Sequence, residues 1–150
     1  MAIAAAIVGS SFLIWLVPRN NDIQSPSLYS YQDVYSSVYA KNNVTATQVD
    51  ALYQNWSSGK ISSGELLTKI DQSLNQTQQL QDDLSQTQPS LQWQQAFSEY
   101  RTALDSFTKY LHAIRSVIDS GSRGQDSTVE MARQEWLQHV DKSVSAIPLS

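Results

Sequence analysis

WQQAFSEYRTALDSFTKYLHAIRSVI, residues 93–118, carries large apolar side chains at Trp93, Phe97, Tyr100, Leu104, Phe107, Leu111, Ile114 and Ile118. The steps alternate four and three without a break, so every one of these side chains falls on a single seam of an α-helix. A seam of that length must pack against other helices of similar length, and this demand decides the fold class. The pattern predicts a helix over about 90–119, stopped by Gly121 after Asp119 and Ser120.

Outward from this seam the same grammar repeats. Ser62-Ser63-Gly64-Glu65 is a helix-start signal, and Leu67, Ile70, Leu74, Thr77, Leu80 and Leu84 follow on one face until Pro89, predicting a helix over 63–86. On the far side, Ser127-Thr128-Val129-Glu130 reads as a capping box for a helix over 128–146 with Val129, Arg133, Trp136, Val140 and Val144 on its inner face, ending before Pro148. Arg133 breaks that apolar stripe, and a guanidinium there is expected to snorkel to the edge of the interface. Upstream, Leu28, Tyr31, Val34, Tyr35 and Val38 predict a short helix over 27–41. A second short helix over 46–57 opens at Thr45-Ala46-Thr47-Gln48, carries Val49, Leu52 and Trp56, and stops at Ser58-Gly59. Short polar connections favour antiparallel neighbours, so the expectation is all-α: an up-down four-helix-bundle-like domain over 28–147, built of two short helices and then three long ones.

The most distinct compositional feature lies before this domain. From Ala2 to Val17 there is no charge, and only Ser10 and Ser11 are polar, until Pro18-Arg19-Asn20 ends the run. At 1.5 Å per residue such a helix covers roughly 24 Å against a hydrocarbon core of roughly 30 Å. No basic region precedes the run and Leu16-Val17-Pro18 is a poor cleavage site, so residues 1–18 read as a retained transmembrane anchor followed by a linker over 19–27. Ala2, Ala6 and Ser10 recur at four-residue steps, and Ala5 with Gly9 repeats the spacing. Small residues so placed let two helices touch closely in lipid, making these five the candidate membrane packing face. Trp15 suits an interfacial position.

The chain has no cysteine, which excludes disulfides, thiol nucleophiles and cysteine metal sites. A net charge of −4 with scattered Lys and Arg excludes a nucleic-acid surface. Ser, Thr, Gln and Asn dominate the polar set, and sequons stand at Asn43, Asn55 and Asn75, so the domain is expected on the outer face of the membrane although Arg19 alone favours the opposite orientation. Only His112 and His139 offer imidazoles. Glu135 and His139 share a helix face at a spacing of four, which permits a two-ligand metal pair, but paired Glu-x-x-His motifs are absent and no metal or cofactor is expected. Gly121-Ser122-Arg123-Gly124 lacks the lysine and spacing of a phosphate loop, and no catalytic residue is expected.

With the apolar run beginning at Ala2, a solitary signalling receptor is disfavoured. The expected role is a non-catalytic accessory or stabilising subunit of a membrane protein complex, its partners integral membrane subunits and membrane lipid. Tyr29, Tyr31, Tyr35 and Tyr39, in the segment nearest the anchor, are the candidate partner contacts. The alternative is an extracytoplasmic domain that binds a small ligand or a peptide at its exposed surface, a reading that an apolar cavity with convergent polar groups between helices 63–86 and 90–119 would favour. The Ser/Gln/Asn/Tyr-rich composition, as in Gln76-Thr77-Gln78-Gln79 and Gln92-Trp93-Gln94-Gln95, together with the N-terminal anchor resembles small exported proteins of ammonia-oxidising archaea. That resemblance, one of composition, implies a membrane-bound ammonia monooxygenase as parent complex.

Overall fold

The computed structural model describes residues 30–149, which form four α-helices and a short 3₁₀ turn. Helix α1 spans Tyr31–Ser57, α2 Ser63–Gln86, α3 Gln94–Asp119 and α4 Ser127–Ser145, with the 3₁₀ turn Leu91–Trp93 leading into α3. The proposed anchor over 1–18, the linker over 19–27, the packing residues Ala2, Ala5, Ala6, Gly9 and Ser10, and Tyr29 lie outside the described residues. Among the described residues no helix is long and apolar enough to cross a membrane.

Cross-helix contacts set the topology. Lys69 of α2 donates to Gln48 of α1, Gln81 of α2 to Asp105 of α3, and Lys109 of α3 to Glu135 of α4, each pairing joining antiparallel neighbours. Tyr35 near the start of α1 meets Ser143 near the end of α4, which closes the ring into an up-down bundle. All eight residues of the seam quoted above are buried, and Ala96, Ala103, Tyr110 and Val117 beside them are buried too, because α3 is flanked by α2 and α4 and also reaches across to α1. Alanines at 96 and 103 let α4 approach closely: the Ser143 hydroxyl donates to the Ala96 carbonyl at 2.7 Å. On α4 the fully buried residues are Val129, Trp136 and Ser143, seven apart, and Ala132, Leu137 and Val140 pack partly buried beside them.

Helix α1 corrects the expectation of two short N-terminal helices, since it is continuous for 27 residues. Its buried positions Tyr35, Val38, Asn42, Thr45, Val49 and Trp56 hold the heptad register straight through the supposed break. Asn42 and Thr45 are polar yet buried: Tyr100 donates its hydroxyl to Asn42 Oδ1 at 3.2 Å, and the Thr45 hydroxyl lies 2.9 Å from both the Lys41 carbonyl and the Gln76 side-chain amide. Back-bonding of a threonine to the carbonyl four residues earlier lets it sit inside a helix, so Thr45 does not cap one. The cap that starts α1 is Ser30, whose hydroxyl accepts from Asp33 N–H while the Asp33 carboxylate accepts from Ser30 N–H, a capping box.

Helix α1 ends as expected. Gly59 at φ +78° and Lys60 donate to the Trp56 and Asn55 carbonyls, a Schellman closure that needs a left-handed residue. Ser62 caps α2 by accepting from Glu65 N–H, as its start signal predicts. For α4 the cap shifts by one residue: Asp126, rather than Ser127, accepts from Thr128 and Val129 N–H. A carboxylate is a stronger acceptor than a hydroxyl and also meets the positive end of the helix dipole.

Candidate functional site

Three helices converge on one partly buried carboxylate. Asp50, in the register step between Val49 and Tyr53 of α1, accepts from Tyr110 of α3 at 2.5 Å and from Arg133 of α4 through both Nε at 3.0 Å and Nη2 at 2.9 Å. Side-chain exposures of 22% for Asp50 and 27% for Arg133 leave a thin edge of water contact, so the pair is neither buried outright nor screened like a surface ion pair. Burial, followed by the neighbouring carboxylate, pushes the Tyr110 phenol far above its ordinary value, so it stays protonated and donates. Burial works against the Arg133 cation, yet the hydrogen bond and the charge of Asp50, with smaller help from Tyr110 and Glu130, together outweigh that and hold the guanidinium above its ordinary value. Aromatic rings wall the cluster: Trp136 stacks on Tyr110 at 6.4 Å and an interplanar angle of 5°, and Phe107 tilts against Trp136 at 5.1 Å. Tyr53, one turn beyond Asp50, donates to the Gly124 carbonyl at 3.2 Å and pins the α3–α4 loop to α1.

Arg133 therefore does not snorkel outward. It turns inward across the α1–α4 seam and neutralises the Asp50 carboxylate.

Toward the opposite end of the bundle a second polar layer is neutral. The Ser143 hydroxyl gives its hydrogen to the Ala96 carbonyl, so Tyr35 is the donor in the 2.6 Å contact between Tyr35 and Ser143. Burial raises the Tyr35 phenol to about 12, partly offset by Ser143. Tyr35 thus belongs to the core, not to a partner surface. Of the other tyrosines proposed as partner contacts, Tyr31 is half-buried with its ring 5.8 Å from Trp93, and half-buried Tyr39 lies 5.8 Å from Tyr100. These two retain an outward edge.

The Glu135 and His139 pair separates onto different partners. Glu135 accepts from Lys109 and Ser106, whereas His139 Nδ1 lies 3.3 Å from Glu99. Both residues tie α4 to α3, and among the described residues no group of three or more His, Asp or Glu side chains is placed to hold a metal ion. His112 is exposed beside a groove of about 470 Å³ between α2 and α3, lined by Leu74, Asn75, Gln78, Gln81, Asp105 and Thr108 as well. The groove is open to solvent, and Leu74 is the one apolar residue among those that line it. All three sequon asparagines stand on helices, Asn43 and Asn55 on α1 and Asn75 on α2; the hydroxyls of Thr45 and Thr77 in two of those sequons are buried packing elements.

Comparison with protein-family models, with curated proteins and with solved structures found no match to this chain.

Proposed function

We propose that the chain is a non-catalytic accessory subunit of a membrane protein complex, held at the bilayer by its apolar N-terminal segment and presenting the bundle as a rigid cap on the outer face. The observation that carries the reading is the uncharged run Ala2 to Val17, joined through a short polar linker to a domain with its own closed core. Supporting it is the use made of charge between the helices, partly buried for Asp50–Arg133 and Glu99–His139 and at the surface for Lys109–Glu135. Asp50, Arg133, Glu135, Lys109, Glu99 and His139 bind one another across helix seams, the arrangement of a scaffold that keeps its shape while something else does chemistry.

The small face Ala2, Ala6 and Ser10, with Ala5 and Gly9, suits close packing against a membrane helix of another subunit, and Tyr31 and Tyr39 suit contact with that subunit just outside the bilayer. The compositional resemblance makes a membrane monooxygenase of ammonia-oxidising archaea the first parent complex to probe. A ligand-binding role gains little from the groove between α2 and α3, which is open to solvent and lacks the enclosure that small-molecule sites use.

Membrane fractionation, mild detergent extraction and native separation test the proposal. The expected result is an integral membrane protein migrating within a larger assembly. Recovery in the aqueous fraction, or migration of the intact chain as a free monomer, overturns it.

A further inference from the structure

The two ends of the bundle differ in chemistry. At one end lie the start of α1, the α2–α3 connection and the close of α4, brought together by the Tyr31–Trp93 ring contact and the Tyr35–Ser143–Ala96 chain of hydrogen bonds. Residues 84–98 and 143–149 contain no charged side chain, and in the first turn of α1 the only charge is Asp33, tied down by its cap bonds to Ser30. At the other end the connections carry Lys60, Asp119, Arg123 and Asp126.

The uncharged end also exposes apolar side chains. Leu91 at the tip of the 3₁₀ turn is 84% exposed and Leu149 just beyond α4 is fully exposed, two of the four large hydrophobic side chains most open to solvent among the described residues. Pro89, Ile147 and Pro148 flank them, half-buried. Isolated exposed leucines are ordinary, but two on connections that carry no charge form a surface suited to an apolar medium. The same end receives the chain from the apolar run, which stops at Pro18, and the 12 residues from there to Ser30 (30 − 18) reach at most about 40 Å.

From this juxtaposition we infer that the anchor-proximal end of the bundle is a lipid-contacting surface, on which Leu91 and Leu149 insert into the interfacial layer of the bilayer. The occupant is lipid because the connecting segments that form this end carry no charge, expose leucines and are tethered beside an apolar segment. A peptide site would call for a groove, and an anionic partner for more basic charge than this end holds, where Arg101 is committed to the Leu84 carbonyl and Lys142 stands alone in the last turn of α4. Trp93, two residues after Leu91, packs its ring against Tyr31 at this same end, and aromatic rings are favoured at a membrane interface. The bundle thereby stands end-on to the membrane, with its charged end farthest from it. The inference rests on the reading of residues 1–18 as an anchor and holds for either orientation across the bilayer.

The absence of cysteine makes the test direct. Single variants of the full chain, Leu91→Cys, Leu149→Cys and Ser122→Cys, are labelled with an environment-sensitive dye and reconstituted into phosphatidylcholine vesicles with and without nitroxide-bearing lipid. Flotation is scored first. The expected result is that all three float, that the labels at 91 and 149 shift to the blue and lose emission to the nitroxide lipid, and that the label at 122 does neither. Flotation with three indistinguishable labels overturns the lipid surface while leaving the anchor standing. A blue shift at 91 or 149 without quenching by lipid overturns it in favour of protein cover, whether from residues 19–29 or a second copy. Failure to float overturns both readings.

Discussion

Replacing Asp50 with alanine removes the one acceptor shared by three helices. It strands the Arg133 guanidinium, which loses bonds at 3.0 and 2.9 Å, and the Tyr110 hydroxyl, which loses one at 2.5 Å. Breaking a fully buried ion pair from one side costs about 3–5 kcal/mol, and a net charge-assisted hydrogen bond about 1.5–3 kcal/mol. Exposures of 22% and 27% let water reach part of the stranded cation, which places the cost at the lower end, about 3 kcal/mol. With a urea slope of about 1.5 kcal/mol/M, the midpoint for the chain in mild detergent moves down by about 2 M, followed by far-ultraviolet ellipticity. Arg133→Ala leaves a carboxylate that still accepts from Tyr110 and costs about 2 kcal/mol. The double variant costs less than the sum by at least about 1 kcal/mol, because the second substitution removes the group that the first left unpaired. A loss below about 0.5 kcal/mol for Asp50→Ala, or strictly additive single variants, refutes the assignment of this cluster as the tie between α1, α3 and α4.

The tyrosine layers give the bundle an alkaline limit. Unfolded phenols ionise near 10, whereas Tyr35 is raised to about 12 and Tyr100 and Tyr110 are likewise raised by burial, so the unfolded chain releases protons that the folded chain keeps. Stability is therefore whole below pH 10 and falls as pH rises through the folded values; phenolate absorbance of these three should appear together with loss of ellipticity, and earlier appearance on an intact bundle contradicts the burial argument. At Asn42, whose Nδ2 has no protein acceptor, Asn42→Leu alone strands the Tyr100 hydroxyl and costs about 1–3 kcal/mol, whereas Asn42→Leu with Tyr100→Phe recovers most of that loss in thermal unfolding. Hydrogen exchange tests the continuity of α1: amides from Thr45 to Gln48 should be as protected as those from Val49 to Leu52, and rapid exchange confined to the former restores the break.

The long helices were legible because their hydrophobic seams are unbroken. On α3 the residues from Trp93 to Ile118 announce both the element and its inner face, while the flanking burial of Ala96, Ala103 and Tyr110 depends on neighbours that a single stripe does not reveal. Helix α1 was read as two pieces because Asn42 and Thr45 place polar groups at heptad positions. Their partners Tyr100 and Gln76 lie far along the chain, and no local rule pairs them. The 3–4 spacing from Tyr35 through Val38, Asn42, Thr45 and Val49 was nonetheless present, and reading register without regard to polarity would have found it.

The Asp50 cluster illustrates the same limit from the other side. Arg133 was visible as a fault in the stripe of α4, but its partner sits 83 residues away on α1, where Asp50 looks like one more solvated acid beside Val49. The spacing of Glu135 and His139 suggested mutual proximity along one helix, while Lys109 and Glu99 on α3 offered each a closer partner of suitable charge. Helix-face arithmetic identifies neighbours on one element and leaves those across a seam unassigned.

The central claim, a scaffold seated in a larger membrane assembly through its apolar segment, is tested most directly by filling the small face of that segment. In native separation after mild extraction, the unaltered chain should migrate within a larger assembly, whereas Ala2→Leu, Ala6→Leu and Ser10→Leu together should leave it in the membrane fraction but released as a single chain. Migration of the unaltered chain as a free monomer contradicts the account, as does an assembly that the three leucines leave intact.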